Sequence, residues 1–495
     1  MVFNSFVFAV FFVIVYVLYI STMRRRVIQN VMLLAASYLF YGWWDWRFLG
    51  LVFLTTFLDY GAALAIDRRR FRGNDFEPST RPYHHSPRAR RVILAISIAA
   101  NLGVLGFFKY FDFFEESASA ALTALGFSVH MSTLRVILPV GISFYTFQSM
   151  SYTIDVYRGT LRAARNPVDF ALFVAFFPQL VAGPIVRAAD LLPQVMRPRR
   201  LNLEQTYEGA HLIFWGLFKK VVIADNLSPL VDRVFTASET PAGGVVLVAV
   251  YAFAVQVYCD FSGYSDIARG CAKTMGFEFD LNFDLPYFAT NPSEFWRRWH
   301  ISLSTWLRDY LYVPLGGNRK GPGRTYLHLM VTMVLGGLWH GAAWTFVLWG
   351  VYQGALLIGY RAAAGWFGPQ RAIDRFASSA PGRIAAGLIF FHFICAGWLI
   401  FRAGSVSQAM TFFWAIFSAW SPIRATSVVQ ASDLVMLAAY TFPLFALELA
   451  QYRKADLMVL LRTPSWMRGV GYACLFYGFV LFGGRVHKPF IYFQF

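Results

Sequence analysis

The stretch "YLHLMVTMVLGGLWHGAAWTFVLWGVYQGALLIGY", residues 326–360, contains two apolar runs, 326–338 and 343–360, joined by "WHGAAW". A helix rises about 1.5 Å per residue, so the first run covers only about 20 Å, against about 30 Å of hydrocarbon. It is too short to cross, and the turn is expected inside the membrane, carrying His340 with it. Gly336, Gly337 and Gly341 flank that histidine and allow another backbone or a substrate to come close.

A second interrupted segment lies upstream. "PVDFALFVAFFPQLVAGPIV" (167–186) is apolar but has basic residues on both sides: Arg162 and Arg165 before it, and Arg187, Arg197, Arg199 and Arg200 after it. Charge placement therefore argues against a simple crossing, and Pro178, Gly183 and Pro184 break any helix there. The segment reads as re-entrant. Broken backbone at membrane depth persists only where protein or a water-filled cavity satisfies it.

Ordinary spans are expected near 2–21, 29–45, 47–66, 92–111, 136–154, 209–228, 244–263, 383–402, 432–450 and 466–483. Arg24–Arg26 follow the first span instead of preceding it, which argues against a signal peptide and places the N-terminus outside. The arginine-rich loop 67–91 then falls on the cytoplasmic side, and the fourth span leads out to an acidic turn at Asp112, Glu115 and Glu116. The long region 264–325 is expected on the cytoplasmic side. Composition agrees with a membrane protein, since 57% of the 495 residues are hydrophobic and 14% charged, where soluble domains carry about a quarter.

The formal charge of +17 is spread over short loops between apolar segments. That distribution reads as topology and not as a nucleic-acid surface. Cys259, Cys271, Cys395 and Cys474 have neither CxxC spacing nor loop clustering, so buried free thiols are expected. No nucleotide-binding P-loop or GxSxG elbow occurs, and no repeat marks an inverted-repeat transporter.

"NPSEFWRRWHISLSTWLRDYLYVPLGG" (291–317) reads as one amphipathic helix of about five turns, with Ser293 as N-cap. Trp296, Trp299, Leu303, Trp306, Leu307 and Tyr310 form its apolar stripe. Glu294, Arg297, Arg298, Thr305, Arg308 and Asp309 lie opposite, with Glu294 four residues before Arg298. His300 sits at the edge of the stripe and points inward. Taken alone, it is accounted for by a buried ring hydrogen-bonded to a neighbour. His340 is placed where an ionisable group marks a pathway or a reaction. Two inward imidazoles suit general-base work. Neither has further His, Cys or carboxylate at ligand spacing, so no metal is expected. Hydroxyls in "GISFYTFQSMSYTIDVYRG" (Ser143, Tyr145, Gln148, Ser149, Tyr152) and the carboxylates Asp260 and Asp266 of "CDFSGYSDIARG" read first as interhelical glue.

These motifs, with "FPQLVAGPIVR", "GLWHGAAWTFVLWGVYQG" and the terminal "PFIYFQF", resemble the membrane-bound O-acyltransferase family over nearly the whole chain. The likeness is greatest to its bacterial branch, typified by the membrane subunit of alginate O-acetylation. The resemblance implies a single membrane-embedded domain over 1–495, all-α and polytopic: about ten spanning helices, with re-entrant and half-length helices around a thinned centre and a funnel on each face. It implies that His340 is catalytic and His300 its companion, with no bound cofactor. The implied donor is a cytoplasmic thioester, acetyl-CoA or an acyl carrier. The acceptor is an extracytoplasmic polysaccharide, reached directly or through a periplasmic acetyltransferase partner, at the bacterial inner membrane. Glu294, Arg297, Arg298, Arg308 and Asp309, with Arg319 and Lys320, are candidate supports for the donor, or ordinary positive-inside residues. Within the family, D-alanyl transfer or acetylation of peptidoglycan or cellulose remains an alternative. Outside it, so does a polysaccharide transporter.

Overall fold

A computed structural model describes residues 1–67, 85–128, 136–366, 379–419, 428–484 and 488–491. The arginine-rich loop expected around 67–91 lies mostly outside these residues, as does the end of "PFIYFQF". Helices carry the whole fold, and no strand occurs among the described residues. Five helical stretches are long and apolar enough to cross a membrane: Arg26–Ile66, Pro87–Ala124, Gly243–Thr274, Ala380–Arg402 and Ala431–Lys454. The protein is an all-α, multi-pass membrane protein. Its chain packs into two compact units, Met1–Ala210 with Ile267–Asp280, and His211–Asp266 with Leu281–Phe495.

In the first unit, Phe6–Ser21, Arg26–Asp45, Leu49–Ile66 and Ile142–Arg158 fall on expected spans. Side-chain caps set several starts: the Ser5 hydroxyl accepts from Phe8 N–H at 3.1 Å, and Ser86 caps a helix whose first residue is Pro87. That helix corrects one expectation. Asp112, Glu115 and Glu116 do not form a turn, because the chain passes through a widened π segment, Gly106–Tyr110, and stays helical from Phe111 to Ala124.

The interrupted segment is broken as expected. Pro167–Ala175 stops at Phe176, whose ψ of 116° leaves the helical region, and Phe177–Leu180 makes one further turn. Every residue from Leu172 to Val186 is buried. Gly141, at φ +77°, lies against this turn, and a Cβ there would stand 2.7 Å from the Leu180 carbonyl oxygen.

Polar glue ties the unit together. Buried Asp59 accepts from Ser97 at 2.5 Å, from Asn101 at 3.0 Å, and from Ser149. Gln148 donates to the Phe173 carbonyl at 2.7 Å, and the Tyr152 hydroxyl accepts from Ala164 N–H at 2.9 Å. For Ser149 and Gln148 the interhelical reading of the motif holds, whereas Tyr152 bonds the loop that follows its own helix.

The second unit contains the hairpin quoted above, longer than its apolar pattern indicated. The first helix runs from Pro322 to His340, 19 residues or about 28 Å. Polar Pro322–Thr325 hid its start, although proline suits the first helical position. Gly341–Ala343 link it to Trp344–Trp366. His340 thus ends a helix and is not itself in the turn. Close approach of the arms requires glycine, since a Cβ on Gly350 would stand 2.5 Å from the Met333 carbonyl oxygen.

An unexpected apolar helix, Val406–Ser418, follows Ala380–Arg402; at 13 residues it escaped a search for full spans. Cys259, Cys271 and Cys395 are buried, but Cys474 is exposed, because it lies on the outward face of Ser465–Phe482, where Leu475 is the buried residue.

Candidate functional site

The expected five-turn helix is two helices with a break at His300. Asn291, not Ser293, is the N-cap: its side chain accepts from Glu294 N–H at 2.9 Å, and Pro292 takes the first helical position. Pro292–Arg298 ends at Trp299, which is extended. His300 then adopts the left-handed conformation (φ 44°, ψ 52°), and Ile301–Leu307 restarts the helix, widening into a π segment at Arg308–Tyr312. A left-handed residue costs about 1–2 kcal/mol. Two backbone hydrogen bonds from an upstream segment offset it, Asp284 N–H to the Arg298 carbonyl and Ile301 N–H to the Asn282 carbonyl, both 2.9 Å. Between them Phe283 packs on Trp299 and Phe261, with ring centroids 5.0 Å away in each case.

The break lets consecutive side chains, Trp299 and His300, both be buried while Arg297 remains exposed. His300 Nδ1 lies 3.2 Å from Asn282 Oδ1. That oxygen also accepts from Ser302 N–H at 3.2 Å and from the Ser302 hydroxyl at 2.9 Å. His300 lies outside the spanning helices. Complete burial, then the neighbouring His340, hold its imidazole well below the ordinary value, so the ring is neutral at pH 7.

His340 is also buried, with ring centroids 5.2 Å from Trp339, 5.2 Å from Trp349, 5.6 Å from Phe401 and 6.2 Å from His300. It lines a cleft of about 210 Å³ with Trp296, Leu307, Arg308, Met333 and Gly336. The lining is largely apolar, except that Arg308, its side chain 60% exposed, holds Asp309 through two nitrogens at 2.7 and 3.2 Å. The cleft therefore joins an exposed guanidinium to a buried imidazole.

Of the five charged residues singled out beside the histidines, Arg308 alone lines this cleft. Glu294 and Arg298 make the expected pair at 3.1 Å, and Arg298 also reaches the Asp284 carbonyl at 3.0 Å, so they brace the break. Half-burial pushes the Glu294 carboxyl up, but the Thr290 N–H and hydroxyl and then Arg298 hold it below the usual carboxylate value. Among the described residues, no three His, Cys, Asp or Glu side chains are grouped to hold a metal.

Residues 161–402, which include both histidines and the break, match the model of the membrane-bound O-acyltransferase family. A probable alginate O-acetylase of Azotobacter vinelandii is 43% identical over 82% of this chain and 76% of its own. The chain belongs to the membrane-bound O-acyltransferase family. A peptidoglycan O-acetyltransferase of Helicobacter pylori is 35% identical over 78% of this chain and 73% of its own. A teichoic acid D-alanyltransferase of Bacillus subtilis is 28% identical over 53% of this chain and 68% of its own. As a member of the membrane-bound O-acyltransferase family, the protein is an O-acyltransferase.

Sequence reasoning missed several residues of this acyltransferase. Asn282 was passed over because it lies in a loop. Lys219 and Lys220 were absorbed into an apolar span, yet both are buried. Lys219 pairs with Asp266 at 2.7 Å, and Lys220 with Asp225 at 2.8 Å and Asp260 at 2.5 Å. Two adjacent lysines inside an apolar run were the available signal, since such groups are buried only with partners. Asp225, Asp260 and Asp266 are those partners.

Proposed function

We propose that the protein moves acetyl groups from a cytoplasmic thioester, acetyl-CoA, to O-acetylate an alginate-like polysaccharide outside the inner membrane, directly or through a periplasmic acetyltransferase partner. The whole chain acts as one membrane-embedded domain with its N-terminus outside. The observation that carries this reading is the cleft between Arg308 and His340. A donor with charge at one end and a neutral thioester at the other matches that polarity: Arg308 attracts phosphate at the mouth, and the apolar walls accept the acyl end. The named activities of the Azotobacter and Helicobacter relatives support acetyl as the group and a polysaccharide as the acceptor.

In this mechanism His340 takes the proton of the acceptor hydroxyl. The oxygen attacks the thioester carbonyl, the C–O bond forms, the C–S bond breaks, and the departing thiolate receives the proton. His300 positions the reactants beside it. The test is His340→Ala at matched membrane abundance, supplied with radiolabelled acetyl-CoA. Loss of a positioned base predicts a fall of at least about 100-fold in label transferred to acceptor. Wild-type transfer refutes the assignment.

A further inference from the structure

The cleft has a direction. On the helix Pro322–His340 its lining residues Leu329, Thr332, Met333, Gly336 and His340 fall three or four positions apart and so share one face. Leu329 lies eleven residues before His340, or about 16 Å along the axis. Across the cleft the wall runs from Leu303 past Arg308 to Tyr312. The chain reverses just beyond that end. Gly316 and Gly317, at φ 123° and 55°, turn it out of the helix. Gly317 N–H donates to the Tyr312 carbonyl at 2.9 Å, and the Gly317 carbonyl accepts from Nδ1 of buried His328 at 3.0 Å. A loop, residues 316–321, is therefore held at the end of the cleft farthest from the His340 imidazole. It carries Arg319 and Lys320, with Arg324 in the first turn of the next helix. All three are exposed, and among the described residues no carboxylate pairs with any of them. The Lys320 stem lies over Gly316, since a Cβ built there would stand 3.0 Å from Lys320 Cε.

We propose that this loop is the subsite for the nucleotide end of the thioester donor: Arg319, Lys320 and Arg324 hold phosphates of coenzyme A, with Arg308 one turn farther in. This rests on the reading of acetyl-CoA as donor, and it names the part of the donor that is recognised. Length supports it. From the thioester sulfur to the first phosphorus the pantetheine arm has about 13 bonds, or about 15 Å extended at about 1.2 Å per bond. A thioester beside His340 thus brings the phosphates level with Leu329 and the loop. Charge supports it as well. Coenzyme A carries a diphosphate and a 3′-phosphate, whereas Arg308 in the cleft lining is already engaged with Asp309 at 2.7 Å. Three further cations supply what Arg308 lacks. Anionic lipid headgroups offer the same phosphate chemistry to an exposed basic loop, so the test separates the two sources.

The experiment uses the full-length protein in nanodiscs of phosphatidylcholine, with and without phosphatidylglycerol, and compares the wild type with the triple variant Arg319→Gln, Lys320→Gln, Arg324→Gln. Adenosine 3′,5′-bisphosphate, the nucleotide end alone, should bind the wild type and compete with acetyl-CoA. In the triple variant its Kd and the KM for acetyl-CoA should each rise at least about tenfold, since one exposed cation contributes up to about fivefold. KM for S-acetylpantetheine, which carries no phosphate, should differ by less than about twofold between the two proteins. His340→Ala should bind the bisphosphate like the wild type, which separates the subsite from the chemistry. An unchanged KM for acetyl-CoA in the triple variant overturns the proposal, as does an equal rise for S-acetylpantetheine. A triple variant that loses only the thermal stabilisation given by phosphatidylglycerol assigns the loop to lipid and overturns it too. Should the triple variant not accumulate, Lys320→Gln carries the same comparison, with a rise of about threefold expected. Binding of the bisphosphate by a wild type that transfers nothing from acetyl-CoA would instead overturn the reading of acetyl-CoA as acyl donor.

Discussion

Gly350→Ala is a direct perturbation of the hairpin that carries His340. The added Cβ would lie 2.5 Å from the Met333 carbonyl oxygen and 2.8 Å from Val334 Cα, the first about 0.9 Å short of the 3.4 Å at which ordinary contact begins. Both obstacles are backbone, so no rotamer change relieves them and the two helices must part by about that distance. Overpacking of this kind costs about 1–3 kcal/mol, partly offset by the up to about 1 kcal/mol that alanine gains over glycine in a helix. Met333, Gly336 and His340 all line the cleft, so the parting shifts the cleft wall and the imidazole together. A misplacement of about 1 Å costs about 100-fold in rate. Gly359→Ala, in the same helix with nothing within 4 Å of its Cβ, provides the control. Label transfer from acetyl-CoA in membranes of matched abundance, with thermal melting of the solubilised protein, measures both effects. If Gly350→Ala melts and transfers like Gly359→Ala, the close-packed hairpin does not set the site.

Three further outcomes are expected. Arg308→Gln should raise KM for acetyl-CoA about fivefold, with kcat little changed, because an exposed guanidinium contributes about 1 kcal/mol to holding an anion; initial rates at low and high salt check this, and an unchanged KM removes Arg308 from donor binding. Lys220→Met should cut stability by about 3–5 kcal/mol by leaving buried carboxylates without their cation, seen as loss of folded protein in detergent. Neutralising Asp225 and Asp260 in the same chain should restore much of it. Stability of the solubilised protein should fall as pH drops through about 6.5, where the unfolded His300 takes a proton that the buried ring refuses, by up to about 1.4 kcal/mol per pH unit. Denaturant titrations of His300→Gln should show that much less slope.

Both histidines drew attention in the sequence through their surroundings. His340 follows an apolar run that reads as too short to cross, although the helix proves to be 19 residues long, and His300 lies at the edge of an aromatic stripe. The break at His300 was not legible, since periodicity counts side chains along one segment, whereas the force that breaks this helix comes from Asn282 and Asp284 upstream. Helix ends misled for a related reason. Pro322–Thr325 are polar enough to resemble a loop, and the acidic residues after Tyr110 resemble a turn, but a helix extends through polar residues whenever its backbone bonds are met locally. The buried lysines were hidden by averaging, because an apolar window tolerates a few charges without showing that Asp260 and Asp266 face them from another helix.

The character of the cleft constrains the chemistry it can perform. Around His340 stand Trp339, Trp349 and Phe401, which offer shape but little solvation, so a permanent charge placed among them carries a desolvation penalty that only pairing relieves. A thioester and an alcohol are both neutral, as are the ester and thiol they become, and charge arises only between those states. On the proposed reading the donor's phosphates stay with Arg308 while its acyl end meets the imidazole. On that reading the same apolar walls exclude water from the thioester and strengthen the hydrogen bonds made beside it. Transfer to an alcohol instead of to water is then a consequence of where the polar groups stop.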